Sequence, residues 1–114
     1  MNTDRNMDRN MDRNMDRNMD RIVREEARLI VLRALAEEPM YALNEALLAL
    51  TLESFGISRS RAFVRDELRF LQSQGAVTLV DAGTVMIARL TDKGRDHVDG
   101  RFLIEGVKRP GPRS

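Results

Sequence analysis

The feature that most constrains the fold is a short glycine-containing turn between two helix-like segments, with a β-hairpin pattern after them. Apolar residues recur at helical spacing before Gly56 and again over residues 58–74. Gly56 suits the left-handed backbone that ends a helix, and Ser58 is a suitable N-cap for the next helix. Two helices joined through so few residues are typical of a helix-turn-helix.

One further helix is predicted on each side of these elements. Helical spacing of apolar residues over residues 21–38 predicts a first helix, which Pro39 ends. Asn44 is the predicted N-cap of the second helix, whose apolar residues lie on two sides and indicate a central position. Thr91 is the predicted N-cap of a short last helix.

Between the third helix and the last one, the apolar period becomes that of β-strands. Two groups of strand-forming residues flank a turn at residues 81–84, namely Val77 and Leu79 before it and Val85, Ile87 and Leu90 after it. Helix, helix, turn, helix, hairpin, helix is the order of a winged helix-turn-helix. We therefore predict a mainly α domain with a small β-hairpin, in the α+β class, and a small α+β domain of no special type is the alternative.

Composition narrows the possible functions. The 114 residues include no cysteine and one histidine, which excludes a disulfide scaffold, a thiolate zinc site and a cysteine nucleophile. No phosphate-binding loop or nucleophile elbow is present, so we predict no enzyme activity, no cofactor and no metal site. His97 is expected to titrate near neutrality on the surface. No apolar run approaches the roughly 18 residues of a membrane span, so a cytoplasmic protein without a membrane partner is expected.

The start of the chain is a repeat, unlike the complex sequence that follows it. The unit Asn-Met-Asp-Arg occurs four times over residues 6–21, after a copy with one substitution. A four-residue period drifts by about 40° per unit around an α-helix, and Asn and Asp are poor helix formers. We predict an extension over residues 1–21, disordered or helical, and a domain over residues 22–100. Residues 101–114 are predicted to be a mobile tail, basic at its end.

Candidate DNA contacts lie at the start of the third helix. In a helix-turn-helix, the N-terminal part of the second helix of the motif meets base edges in the major groove. The guanidinium fork of Arg59 matches O6 and N7 of guanine, whereas Arg61 and Arg65 lie nearer the buried face and are expected to reach phosphates. The predicted DNA-binding residues are Ser58, Arg59, Ser60, Arg61, Arg65 and Arg69.

Two aromatic side chains leave a second interpretation open. Phe63 and Phe70 lie off the core stripe of the third helix. They either pack under the first helix and the wing or form an apolar seam for a second copy or another protein. Asp66 within the proposed DNA surface, and the lack of Lys or Arg at residues 81–84, count against DNA binding, and a protein-binding adaptor is the alternative. A homodimer is expected in either case, and residues 102–104 or the first helix are further candidates for its interface.

Two stretches resemble known winged-helix proteins. Residues 68–77 (LRFLQSQGAV) and 90–95 (LTDKGR) resemble the helix-to-wing passage and post-wing helix of bacterial regulators. The closer resemblance, from residues 22–30 (IVREEARLI) to 104–110 (IEGVKRP), is to small winged-helix proteins of Mu-like phages and prophages, often labelled ArsR-like transcriptional regulators. It implies a phage regulator that binds double-stranded DNA in the cytoplasm of a bacterial host. The cysteine metal sites of ArsR-type repressors have no counterpart here.

Deletion of residues 1–18 tests whether the repeat contributes to the fold. We expect the melting temperature and DNA binding to stay nearly unchanged, because the domain pattern begins after the repeat. Thermal melts and gel shifts of the full and shortened chains make the comparison, and loss of either property would contradict this expectation.

Overall fold

The computed structural model describes the backbone of residues 2–111 and the side chains of residues 15–111. In that part of the chain the elements are α1 (Asn2–Glu37), β1 (Ala42–Asn44), α2 (Glu45–Ser54), α3 (Arg61–Ser73), β2 (Val77–Ala82), β3 (Val85–Leu90) and α4 (Asp92–Val98). The predicted α+β class is confirmed. The helix pair α2–α3 followed by the β2–β3 hairpin has the arrangement of a winged helix-turn-helix.

Helix α1 runs without interruption from the repeat into the domain. Its 36 residues correspond to about 54 Å at the usual rise per residue. Of the two alternatives predicted for the repeat, the helical one is observed. Met15, Met19 and Ile22 are exposed, whereas Ala27 is fully buried, so the packed part of α1 begins after the repeat. None of the described helices is both long and apolar enough to cross a membrane.

The core forms where the apolar face of α1 meets the other helices and the sheet. Burying a leucine side chain stabilises a fold by about 1.5–3 kcal/mol, so leucines removed from water on three helices carry much of the packing energy. Those with at most 1% exposure are Leu29, Leu32 and Leu35 of α1, Leu48 and Leu52 of α2, and Leu68 and Leu71 of α3.

The sheet has one strand more than the predicted hairpin. Strand β1 pairs antiparallel with β3, which gives the order β1-β3-β2. Tyr41, with a left-handed φ of 56°, turns the chain after α1, and its carbonyl accepts a hydrogen bond from the Leu90 N–H at 2.8 Å. With only three residues, β1 is too short for its apolar alternation to be recognised.

The predicted helix ends agree with the structure except at the start of α1, which lies in the repeat, and at the start of α3. The Asn44 side chain accepts from the Leu47 N–H, and the Thr91 side chain accepts from the Gly94 N–H, so both residues are N-caps as predicted. Gly56, with φ of 84°, follows α2 in the left-handed conformation that the turn requires.

The central position predicted for α2 is wrong. Its stripe of Leu48 and Leu52 is buried against the core, but the other apolar side faces solvent. Leu47 is 46% exposed, Leu50 is 59% exposed, and Phe55, just after the helix, is 65% exposed. The helix therefore lies at the edge of the domain, with one face against the core and the other exposed.

His97 is fully buried, so the predicted surface position is also wrong. Its Nδ1 accepts a hydrogen bond from the Ile104 N–H at 2.9 Å, and its Nε2 lies 2.9 Å from the Lys108 carbonyl oxygen. A neutral ring with its proton on Nε2 satisfies both contacts. Ile104 and Val107 are buried beside it, so the chain as far as Lys108 is anchored and not a mobile tail. Residues 112–114 lie outside the described residues.

Replacing His97 by leucine tests this anchor. His97→Leu leaves the Ile104 N–H and the Lys108 carbonyl without their partner, so we expect a loss of about 2–3 kcal/mol in the free energy of unfolding. Urea denaturation measures it, with Lys93→Ala on the exposed side of α4 as the control. A loss no larger than that of the control would show that the ring contributes only apolar packing.

Candidate nucleic-acid interface

Helix α3 begins two residues later than predicted. Ser60, not Ser58, is its N-cap, and the Ser60 Oγ accepts a hydrogen bond from the Phe63 N–H at 3.1 Å. The Ile57 N–H donates to the Leu52 carbonyl, and the Ile57 side chain packs against the core. Residues 58–60 then connect Ile57 to the first residue of α3. Ser58 therefore lies in an exposed irregular segment and is not the N-cap of α3.

A buried carboxylate at the start of α2 binds two of the predicted DNA-contacting arginines. Glu45 is 3% exposed. Its Oε1 accepts from the Arg61 Nε at 2.5 Å, and its two oxygens accept from the Arg65 Nε and Nη2 at 2.8 and 3.0 Å. The Arg61 guanidinium also donates to the Thr84 carbonyl in the wing turn. We call Glu45, Arg61 and Arg65 the Glu45 cluster; with Thr84 it joins α2, α3 and the wing.

The arginines lower the pKa of Glu45 to about 2. The hydrogen bond from Arg65 is the largest cause, and burial of the carboxylate opposes it. Interaction with Arg61 lowers the pKa further. The carboxylate is consequently ionised at neutral pH, and its charge is offset within the cluster.

Sequence reasoning missed this role of Glu45, although the helical spacing contains a signal for it. Glu45, Leu48 and Leu52 lie at positions i, i+3 and i+7, which is one face of a helix, and that face is the buried one. A carboxylate on such a face needs cationic partners nearby in the fold. The two arginines on the following helix were assigned to phosphates instead.

The predicted arginines therefore fall into two groups. Arg61 and Arg65 serve the Glu45 cluster, with side chains that are 58% and 33% exposed. Arg59 is exposed in the segment before α3, its guanidinium carbon 5.9 Å from the centroid of the Phe63 ring. Arg69 is 58% exposed, with a long 3.8 Å contact to Asp66.

The two aromatic rings of α3 are half-buried, and Phe70 is covered by the chain's own elements. The Arg28 guanidinium carbon lies 3.6 Å from the Phe70 ring centroid, and Gly106 lies against the ring, where a Cβ would come within 2.6 Å of it. Arg28 also donates to Glu67 at 2.6 Å, which removes that acid from the outer surface of α3. Phe70 thus packs under α1, and Phe63 packs against the core.

The turn of the wing adds no positive charge, and one cation of the C-terminal segment is paired within the fold. Residues 81–84 are exposed and contain one charged side chain, the acidic Asp81. The Lys108 Nζ is 2.6 Å from a Glu26 carboxylate oxygen on α1, so this cation is paired within the fold. Arg109 is exposed beyond it.

The Glu45 pKa predicts a definite pH dependence. Because the folded pKa of about 2 is below the ordinary 4.5, the ionised carboxylate contributes stability that is complete above about pH 4.5 and is lost as pH falls towards about 2. Glu45→Gln should melt lower than the wild type at neutral pH, and the difference should shrink over this interval. Thermal melts measured across that range make the comparison, with the exposed Glu37→Gln as the control. A difference that does not change with pH would mean that the Glu45 charge contributes no stability.

A known phage protein is similar to most of this chain. The chain is 37% identical over 93 residues to the uncharacterized protein gp26 of Escherichia phage Mu, an alignment that covers 82% of this chain and 96% of gp26. No protein-family model and no solved structure matches the chain. The predicted relation to Mu-like phages is confirmed, whereas the predicted regulator activity is not given by the name of this relative. The chain belongs to the family of phage Mu gp26.

Proposed function

We propose that this phage protein binds double-stranded DNA through the start of α3, in transcription regulation or another phage DNA transaction in the bacterial host. The observation that supports the proposal is the exposed segment before α3, which carries a cation and leads into a helix that ion pairs hold in place. Arg59 lies in that segment, and the Glu45 cluster holds the first turns of α3 against α2. The proposed role is binding, not enzymatic catalysis.

The charges around α3 support this surface over a merely solvated helix. Glu67 is buried with Arg28, so its negative charge does not face outward. The Glu45 cluster has one carboxylate for two guanidinium groups and keeps one positive charge, and Arg59 adds another. The surface is therefore cationic at the helix N-terminus, where the peptide dipoles also favour phosphate, and the exposed acid Asp66 lies further along the helix beside Arg69.

Within this proposal, some of the predicted arginines contact DNA and others hold α3 in position. Arg59 remains the proposed contact to guanine, and Arg69 the proposed contact further along the helix. Arg61 and Arg65 act mainly by positioning α3, because their guanidinium groups bind Glu45. Ser58 and Ser60 keep hydroxyl hydrogens that can donate to phosphate. A second copy of the chain would present a second α3 to a neighbouring half-site.

The alternative is an adaptor that binds another protein. Its partner would bind an apolar seam of Phe63 and Phe70, and the packing of Phe70 under Arg28 leaves less of that seam accessible. Gel shifts at two salt concentrations separate the two functions, because each neutralised phosphate adds about −0.9 to the slope of log affinity against log salt. An affinity that falls steeply with salt supports DNA binding, and no shift of duplex DNA favours the adaptor.

Replacing Arg59 tests the proposed base contact. Arg59→Ala should weaken binding to a selected duplex by about 1–3 kcal/mol and relax its sequence preference. Titrations with duplexes selected from phage and host DNA measure both effects, and Arg33→Ala on the exposed side of α1 is the matched control. Arg65→Ala should instead lower the melting temperature. Equal DNA affinity of the wild type and the Arg59→Ala/Arg69→Ala double variant would refute the proposed interface.

A further inference from the structure

The exposed face of α2 combines large and small apolar side chains in one stripe. Ala46, Ala49, Leu50 and Glu53 lie at positions i, i+3, i+4 and i+7, which share a helix face. Leu50 projects from this face, with 59% of its surface exposed. The two alanines, with Val64 of α3 and Val85 of the wing, line an adjoining groove of about 450 Å³. We call this surface the α2 stripe.

The α2 stripe carries opposite charges at its two ends. Arg61, from the net-positive Glu45 cluster, lines the groove beside Ala46 at the N-terminal end. Glu53 is exposed at the C-terminal end, and no cation pairs with its side chain among residues 15–111. A partner helix that runs in the opposite direction must therefore be acidic beside Arg61 and cationic beside Glu53.

A second copy of the same stripe, turned by two-fold symmetry, meets each of these requirements. Antiparallel pairing about the middle of α2 places Glu53 of one copy near Arg61 of the other. It also places each Leu50 over the alanines of the facing helix. We propose that two copies of the chain associate through antiparallel packing of their α2 stripes. Such an interface is isologous, because one patch supplies both the projecting side chain and the groove.

The dimensions agree with this arrangement. Helices with small residues at their contact pack with axes about 8 Å apart, and the Cα atoms lie about 2.3 Å from each axis. Over the usual 8–10 Å range of axis separations, residues near the two-fold axis then have Cα atoms about 3.4–5.4 Å apart, which overlaps the range of a disulfide. A ten-residue helix gives a small interface, so the dimer is expected to be weak, with a dissociation constant of about micromolar or higher.

This inference is linked to the proposed function only in that it supplies the second copy. Arg61 would be covered at the interface and its charge met by Glu53 of the other copy, so DNA contact in the dimer would fall to Arg59 and Arg69, which do not line the groove. Self-association is measured without DNA, so its failure and the failure of DNA binding are distinguishable results.

Oxidative cross-linking of the full chain tests the position of the two-fold axis. The chain has no cysteine, so Leu50→Cys provides a single thiol on the α2 stripe. Under mild oxidation it should form a disulfide-linked dimer, and Val80→Cys, 58% exposed on β2, should form much less. Equal cross-linking of the two variants would overturn the proposed interface, as would the absence of a Leu50→Cys dimer.

Sedimentation over a range of protein concentrations measures the strength of self-association. The wild type should associate reversibly, and Leu50→Glu should weaken association by at least about tenfold, since an apolar anchor is replaced by a charge. Glu53→Arg should weaken it less, and Val80→Glu should leave it unchanged. Thermal melts of each variant confirm that it folds. A wild type that stays monomeric, or that uses this face only for a different protein, would overturn the proposal.

Discussion

The position of α3 depends on one buried carboxylate. An ionised Glu45 at 3% exposure would lower the free energy of unfolding greatly if it had no partner. The structure therefore requires cations beside it. Arg61 and Arg65 meet that need because they are one helical turn apart on α3 and face α2. Apolar packing alone would hold α3 against the core, but the two guanidinium groups also fix its rotation and its position along α2. Arg61 extends this constraint to the wing through the Thr84 carbonyl.

This arrangement separates positioning from recognition. A guanidinium group bound to a buried carboxylate keeps part of its positive field but has fewer free donors for a base or a phosphate. Recognition therefore falls to arginines outside the Glu45 cluster. Arg59 is in the exposed, irregular segment before α3 and outside the Glu45 cluster. The two-residue difference in the start of α3 thus moves Arg59 from the predicted first turn of the helix to the segment before it, and Arg59 remains the proposed groove contact.

The sequence predicted the order of the elements well because local rules decide most of it. Asn44 and Thr91 cap their helices through their own side chains, and Gly56 turns the chain with its own backbone. The errors occur where distant residues decide. Strand β1 exists because β3 offers it an edge, and His97 is buried because the segment ending at Lys108 returns to cover it. The residues adjacent in sequence do not indicate either contact.

The candidate site was predictable in position but not in its internal pairing. The spacing of α3 correctly separates its buried face from its outward residues, as the burial of Val64 and Leu71 and the exposure of Arg69 show. It does not reveal which arginines are bound by an acid sixteen or twenty residues earlier. That choice depends on the crossing of α2 and α3.

The exposed side of α2 poses a different physical question. Two leucines at 46% and 59% exposure contribute little to the folding of one chain, and polar residues at those positions would satisfy the same helix. Scattered apolar residues need no explanation, but here Leu50 lines a groove together with two alanines, and the α2 stripe has Arg61 at one end and Glu53 at the other. The proposed antiparallel copy brings all of these features into register at once. The buried face of α2 thus specifies the domain through Glu45, and the outer face is suited to joining two such domains.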